Sequence, residues 1–306
     1  MKIYMAGLFT NGIGKVNGTL FQKLTPAEQY YCSAVPHHLE SYHYISKQPA
    51  VDSIRESGKT VFLDSGAFSA FTKGVEINLP EYCRYIQRNE DIIYKDDGVL
   101  VASVLDGIGD PLKTWQNQLA MEANGVRPLP CFHYGEDERY LEWYMERYEY
   151  ITIGGMVPIA KPQLYYWLDR IWEKYLCDGS GRPRLKVHGF GLTTQGLMER
   201  YPWWSVDSSS WVQSASNGSI IVSGLGTVSI SDKAPARKQE NRHITTIPEM
   251  QRNALIERFQ KEGFAFDRLQ REYVSRWVYN LMSFQQMGEK YTDPFPIYKV
   301  DQMALF

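Results

Sequence analysis

The chain alternates between short, almost wholly apolar runs and longer stretches with apolar residues at helical spacing. The sharpest run is Val61-Phe62-Leu63, followed at once by Asp64-Ser65-Gly66-Ala67-Phe68-Ser69. Apolar on both faces, it reads as a parallel strand covered on both sides. The acid, hydroxyl and glycine after it make a rim where the backbone can turn and approach a ligand. The pattern recurs. Strands are predicted at 1–8, 41–46, 61–63, 99–106, 127–135, 150–156, 185–191, 203–211 and 219–226. Helices are predicted from Thr25-Pro26-Ala27-Glu28, over 49–57, from Leu79-Pro80-Glu81 to about 90, and from Asp110-Pro111 to Asn124-Gly125. Others follow from Glu136 to Tyr148, over 161–176 and over 193–200. Thr25 can cap, Pro26 suits a first turn, and Glu28 sits three residues on.

Strand–helix units of this length indicate parallel βαβ connections. Counting from 41–46 gives eight strands, with 1–8 as a ninth candidate. Polar residues or glycines end most of them, not a single switch point. That favours a (β/α)8 TIM barrel over an open doubly wound sheet. The barrel is expected over residues 1–227. Residues 228–306 are expected to form a basic segment and a helical C-terminal extension. Leu255, Phe259, Phe264, Leu269, Tyr273 and Trp277 would pack that extension on the barrel, and 291–306 would be irregular.

Composition narrows the partners. The 306 residues carry a net charge of −2, so nucleic-acid contact needs a local patch. Lys233, Arg237, Lys238 and Arg242 supply one, with Glu240 the only acid among them. The 21 Tyr and 8 Trp serve a core first, and some could stack on bases. Cys32, Cys83, Cys131 and Cys177 form no CxxC or CxC pair, which argues against a compact zinc motif or a disulfide scaffold. No run approaches a membrane span and Met1-Lys2-Ile3 does not open a signal peptide, so the expected compartment is the cytoplasm.

Three carboxylates fall at predicted strand ends: Asp64, Asp106 and Asp207. Such an Asp can be a helix cap or turn former. Three of them at one barrel mouth would repel one another and separate in pKa, as a nucleophile and an acid/base require. Gly154-Gly155 can be a tight turn or a bare backbone lying against a planar ligand. Phe68 and Met156 can fill a core or sandwich a base. His133 and His188 have no HxxxH or HxH partner, so neither a metal nor another cofactor is expected. Walker A, G-x-S-x-G and G-x-G-x-x-G fingerprints are missing.

In order, these segments resemble the tRNA-guanine transglycosylase family, including its phage and bacterial branch that installs 7-deazaguanine bases in DNA. Asp64-Ser65-Gly66-Ala67-Phe68-Ser69 looks like the family's Asp-Ser-Gly-Gly-[Phe/Tyr]-Gln, and Ser41-Tyr42-His43 is similar to its Thr-Tyr-His. Phe132-His133-Tyr134-Gly135 takes the place of Val-Gln-Gly, and Ile153-Gly154-Gly155-Met156 that of Ile-Gly-Gly-Leu. His188-Gly189-Phe190-Gly191 sits at the Gly-x-Gly strand end, and Val206-Asp207 matches Phe-Asp of the nucleophile strand. The resemblance covers residues 36–225. It implies that Asp207 attacks C1′ and expels guanine, and that Asp64 is the general acid/base. It further implies that Asp106, Ser65 and the Gly154-Gly155 backbone read a preQ0-like base between Phe68 and Met156, with Tyr134 and His188 completing the substrate site.

Ala67, Ser69 and Tyr134 depart from the family pattern, and no cysteine follows Cys177 to build the family's Cys-x-Cys-x-x-Cys…His zinc site. That shifts the expected substrate from tRNA to DNA. The alternatives are a tRNA enzyme, a base-cleaving glycosylase, and a non-catalytic barrel that binds a base or nucleic acid within a modification complex.

Overall fold

The structure is a computed structural model that describes residues 1–192, 194–291 and 297–298. Two compact units divide it: Met1–Thr10, His37–Ser208 and the described part of Tyr291–Phe306, then Asn11–Pro36 with Ser209–Lys290.

The first unit is α/β. Its sheet strands are β1 (Lys2–Ala6), β2 (His38–Ser41) and β3 (Val61–Asp64). A two-residue hairpin follows, β4 (Lys95–Asp96) with β5 (Val99–Leu100). Then come β6 (Cys131–His133), β7 (Tyr150–Gly154), β8 (Lys186–Gly189) and β9 (Ser205–Ser208). Seven strands form one sheet in the order β3-β2-β1-β9-β8-β7-β6, every pair parallel. The sheet curls into a half-barrel. Phe62 of β3 and His188 of β8 lie well apart in strand order, yet their ring centroids are 4.6 Å apart. At the edges, Leu63 of β3 donates its N–H to Val101 O, and Ser103 N–H donates to Leu63 O. Val104 N–H donates to Leu129 O, and Leu129 N–H to Ala102 O, just ahead of β6.

Alternation along the strands sorts the side chains. Tyr4, Leu39, Phe62, Val101, Leu129 and Tyr150 pack with one another on the concave face. Val61, Leu63, Ala102 and Val104 instead join a larger cluster with Val51, Ile54, Tyr82, Ile86 and Met121 of the flanking helices. A polar cluster lies at the N-terminal ends of the strands. Asp96 is buried, and it takes Lys2 Nζ at 2.6 Å, Lys186 Nζ at 2.9 Å and Trp204 Nε1 at 2.6 Å. Burial would raise the Asp96 pKa, but these donors outweigh it and lower it.

Some predicted elements differ. SYHYIS was expected to be a strand over 41–46, but the strand is His38–Ser41 and Tyr42–Ile45 is a helical turn. Tyr42 and Ile45 both pack into the flanking cluster, and a three-residue offset puts them on one side of a helix. The expected ninth strand, 1–8, pairs with both β2 and β9 and belongs to the sheet. The expected strand 219–226 does not. Ser219–Val222 (β10) turns back on Gly226–Ser229 (β11) as an antiparallel hairpin in the second unit, and Gly224 (φ 84°) and Gly226 (φ 90°) supply the left-handed backbone the reversal needs.

That second unit joins an early excursion of the chain to its late helices. Pro26–Ala34 opens with the predicted capping box: Thr25 Oγ1 accepts from Glu28 N–H, and the Glu28 carboxylate accepts from Thr25 N–H. Glu28 is buried and also pairs with Arg268 at 3.0 Å. The tail forms three helices, Glu249–Lys261, Phe266–Arg271 and Tyr273–Glu289. Buried Asn280 ties the last to its unit: its amide donates to Trp211 O at 2.9 Å, and its oxygen accepts the Ile221 N–H of β10 at 2.6 Å. The expected irregular stretch 291–306 lies largely outside the described residues.

Candidate functional site

The C-terminal ends of the parallel strands carry the chemistry of the first unit. Register places the two proposed catalytic acids on the same face. Asp64 pairs with Ser41, two residues beyond the Leu39–Phe62 pair, so its side chain shares the concave face with Phe62. Asp207 pairs with Tyr4, which belongs to that same inner cluster.

Asp64 is partly buried and well held. Its Oδ2 accepts Ser41 Oγ–H at 2.7 Å and Gly66 N–H at 3.0 Å, and Ser103 Oγ is 3.4 Å from Oδ1. Burial raises its pKa from 3.8 to about 6. The Ser41 hydrogen bond opposes that rise, and the Asp106 and Asp207 carboxylates add to it. Asp64 therefore lies within electrostatic reach of both other carboxylates. Gly66 is required by its surroundings: φ is +74°, and a Cβ there would stand 2.6 Å from His43 Cβ.

Asp207 is buried. Its Oδ1 accepts Gly191 N–H at 2.7 Å and lies 3.4 Å from His188 Nε2, without hydrogen-bond alignment. His188 Nδ1 meets Ser205 Oγ at 2.7 Å, and Ser205 meets Tyr150 OH at 2.7 Å. Burial lowers the His188 pKa against the pull of Asp207. His188 was expected among the substrate contacts, but it has no exposed surface and its ring lies against Tyr4, Phe62 and Phe190. It lies beneath Asp207 in the buried layer, its Nε2 3.4 Å from Asp207 Oδ1.

Asp106 follows the segment that reaches both edge strands. Its Oδ2 is 3.3 Å from His133 Nε2, and its Oδ1 is buried without a hydrogen-bond partner. His133 Nδ1 is 2.6 Å from Glu136 Oε1, and Cys131 Sγ lies 3.4 Å from His133 Nε2. Gly154 of β7 is bare where these side chains sit: a Cβ on it would be 3.0 Å from His133 Cδ2 and 3.1 Å from Cys131 Sγ. Gly155 is exposed at φ +71°, and Tyr134 N–H donates to Gly154 O at 3.1 Å.

The other expected binding residues divide. Ser65 and Met156 are buried, and Tyr134 is half-buried with its ring 5.1 Å from Trp167. Phe68 is 67 % exposed on the helix Ala67–Thr72, with Phe71 exposed one turn on. A cleft of about 720 Å³ runs from that helix to Asp106, between Phe71, Ile77, Leu105 and Ile108. Its lining includes Asp106 but neither Asp64 nor Asp207. Sequence reasoning missed Ser103, Gly191 N–H, Cys131 and Glu136 as parts of this site. Only Cys131-x-His133 had a local signal, since alternate residues of a strand share a face.

Lys233, Arg237, Lys238 and Arg242 lie in the second unit, all exposed. They ride on a loop whose ends are pinned together: Ser229 N–H donates to Arg242 O, and Ile244 N–H to Ser229 O. Buried His243 sits inside, with Nδ1 2.8 Å from Thr245 Oγ1 and Nε2 3.1 Å from Ser231 O. The cations are thus presented on an ordered Ω-type loop.

No family model matches the chain, and no curated protein matches it in sequence. Among the described residues, no helix is long and apolar enough to cross a membrane.

Proposed function

We propose that this chain is a transglycosylase that exchanges guanine for a 7-deazaguanine base in DNA, as its motifs suggest by resemblance. The observation that carries the reading is the pair Asp64 and Asp207. They share one concave face at the C-terminal strand ends, and they are held in different ways. In the proposed reaction one oxygen of Asp207, its Oδ1 braced by Gly191 N–H, leaves Oδ2 to attack C1′ of a flipped nucleotide. The bond from C1′ to guanine N9 breaks, and Asp64 gives its proton to the leaving base. Asp64 then takes the N9 proton of the incoming base, which attacks C1′ and releases Asp207. A carboxyl with a pKa near 6 suits both proton transfers. The carboxylate we assign to the edge of the base is that of Asp106, which lines the cleft.

On this reading the curled sheet is most of a closed (β/α)8 barrel. Supporting it, the 101–104 segment bonds to β3 on one side and to Leu129 on the other, as an eighth stave between the two sheet edges would.

The test is to incubate the protein with labelled 7-deazaguanine base and either duplex DNA or tRNA, then to assay exchange and a denaturation-resistant adduct. Exchange on DNA supports the proposal. Exchange on tRNA alone moves the substrate to tRNA, base release without incorporation indicates a glycosylase, and binding without either indicates a non-catalytic barrel. The basic loop gives a separate expectation. If Lys233, Arg237, Lys238 and Arg242 contact phosphates, changing all four to Gln lowers the slope of log affinity against log salt by about 3–4. An unchanged slope removes the loop from the nucleic-acid interface.

A further inference from the structure

Asp106, Cys131 and His133 place a carboxylate oxygen, a sulfur and an imidazole nitrogen within 4.8 Å of one another. We infer that these three side chains form a binding site for a divalent, borderline-soft metal ion of the zinc type. This inference stands independently of the base exchange proposed above.

The spacing suits such an ion. His133 Nε2 is 3.3 Å from Asp106 Oδ2 and 3.4 Å from Cys131 Sγ. Ligands at zinc distances in a tetrahedral array stand roughly 3.3–3.7 Å apart. The donor set is also apt, since sulfur and imidazole select zinc and its neighbours over magnesium or calcium.

Hydrogen bonding serves the cluster less well. Nε2 can carry at most one hydrogen, so when it donates to Asp106 Oδ2 the Cys131 thiol at nearly equal distance keeps only a weak contact. A metal ion in place of that hydrogen satisfies nitrogen, sulfur and oxygen together. The far side of the ring is prepared for it: Nδ1 is 2.6 Å from the Glu136 carboxylate, the carboxylate–histidine–metal arrangement that fixes a ligand ring and raises its basicity. The neighbouring strand makes room, because any side chain at Gly154 would press on both His133 and Cys131.

Binding would displace the Cys131 thiol proton and the Nε2 proton of His133 to solvent, leaving a thiolate and a neutral imidazole as ligands. Three protein ligands leave a fourth position for water or a substrate atom. Asp106 would bind through Oδ2, the oxygen that faces His133 Nε2.

Cobalt(II) reports such a site directly. The full chain, stripped with a chelator, is titrated with cobalt chloride and followed by absorbance. The expected result is saturation at one equivalent, with a thiolate-to-cobalt charge-transfer band in the near ultraviolet that zinc abolishes. Cys131→Ser should lose the band, whereas Cys83→Ser, a buried cysteine of the flanking cluster, should keep it. Glu136→Gln tests the site without touching a ligand. Folded by circular dichroism, it should bind cobalt about 10–100-fold more weakly. No band at stoichiometric cobalt, a band that survives Cys131→Ser, or unchanged affinity in folded Glu136→Gln would each overturn the site.

Discussion

Asp207→Asn is expected to abolish base exchange, with a loss on the order of 10⁴-fold or more, while the protein stays folded and still binds nucleic acid. The substitution is close to isosteric. An Asn side-chain oxygen can still accept the Gly191 N–H that now holds Asp207 Oδ1 at 2.7 Å. His188 keeps Ser205 on its Nδ1 side, so the buried Tyr150–Ser205–His188 chain beneath the site is undisturbed. What disappears is a carboxylate able to bond to C1′. The denaturation-resistant adduct should therefore vanish together with exchange, and nucleic-acid affinity should change by only a few fold. An adduct that persists in Asp207→Asn, or exchange within tenfold of the unaltered protein, would remove Asp207 from the reaction. It would also take away the main support for a transglycosylase.

The sheet was legible because its strands are buried on both faces. Val61-Phe62-Leu63 and Tyr150-Ile151-Thr152-Ile153 read as strands with no knowledge of their partners, and they pair in parallel as expected. Errors arose where periodicity is ambiguous over a few residues. Ser41–Ser46 alternates like a strand, yet it turns helical after Ser41 because Tyr42 and Ile45 have apolar neighbours on one side. Ile220-Ile221-Val222 looks like one more barrel strand. The alternation that resumes at Thr227-Val228-Ser229 after two glycines carries the hairpin signal that separates it. The site was legible as strand-end acids, but not as a network. Ser103 reaches Asp64, and Gly191 reaches Asp207, only through the stagger between strands, which no local pattern encodes. Cys131-x-His133 shows the other limit. Its spacing signifies a shared face only once the segment is known to be extended, and its third member comes from 25 residues earlier in the sequence, at Asp106.

Asp64→Asn is expected to cost activity and to raise stability, and pH separates the two effects. Burial, opposed by Ser41 and reinforced by Asp106 and Asp207, lifts the Asp64 pKa from 3.8 to about 6. The native carboxyl therefore holds its proton more tightly than the unfolded one. Between about pH 4 and pH 6 the native state binds more protons, so stability falls as pH rises through this window. A shift of about two pKa units corresponds to at most about 3 kcal/mol, and solvent at the part-exposed carboxylate trims it. Asn carries no such penalty, and its oxygen can still accept from Ser41 and Gly66. In urea unfolding the variant should match the parent near pH 4 and gain on it up to pH 7, by at most about 3 kcal/mol. Exchange should fall by about 10²–10⁴-fold, and the limb of the pH–rate profile near pH 6 should disappear. A stability difference that does not change between pH 4 and pH 7 would show that Asp64 is not held in its proton-retaining state. The strain at this carboxyl would then not be the cost of an acid/base poised for neutral pH.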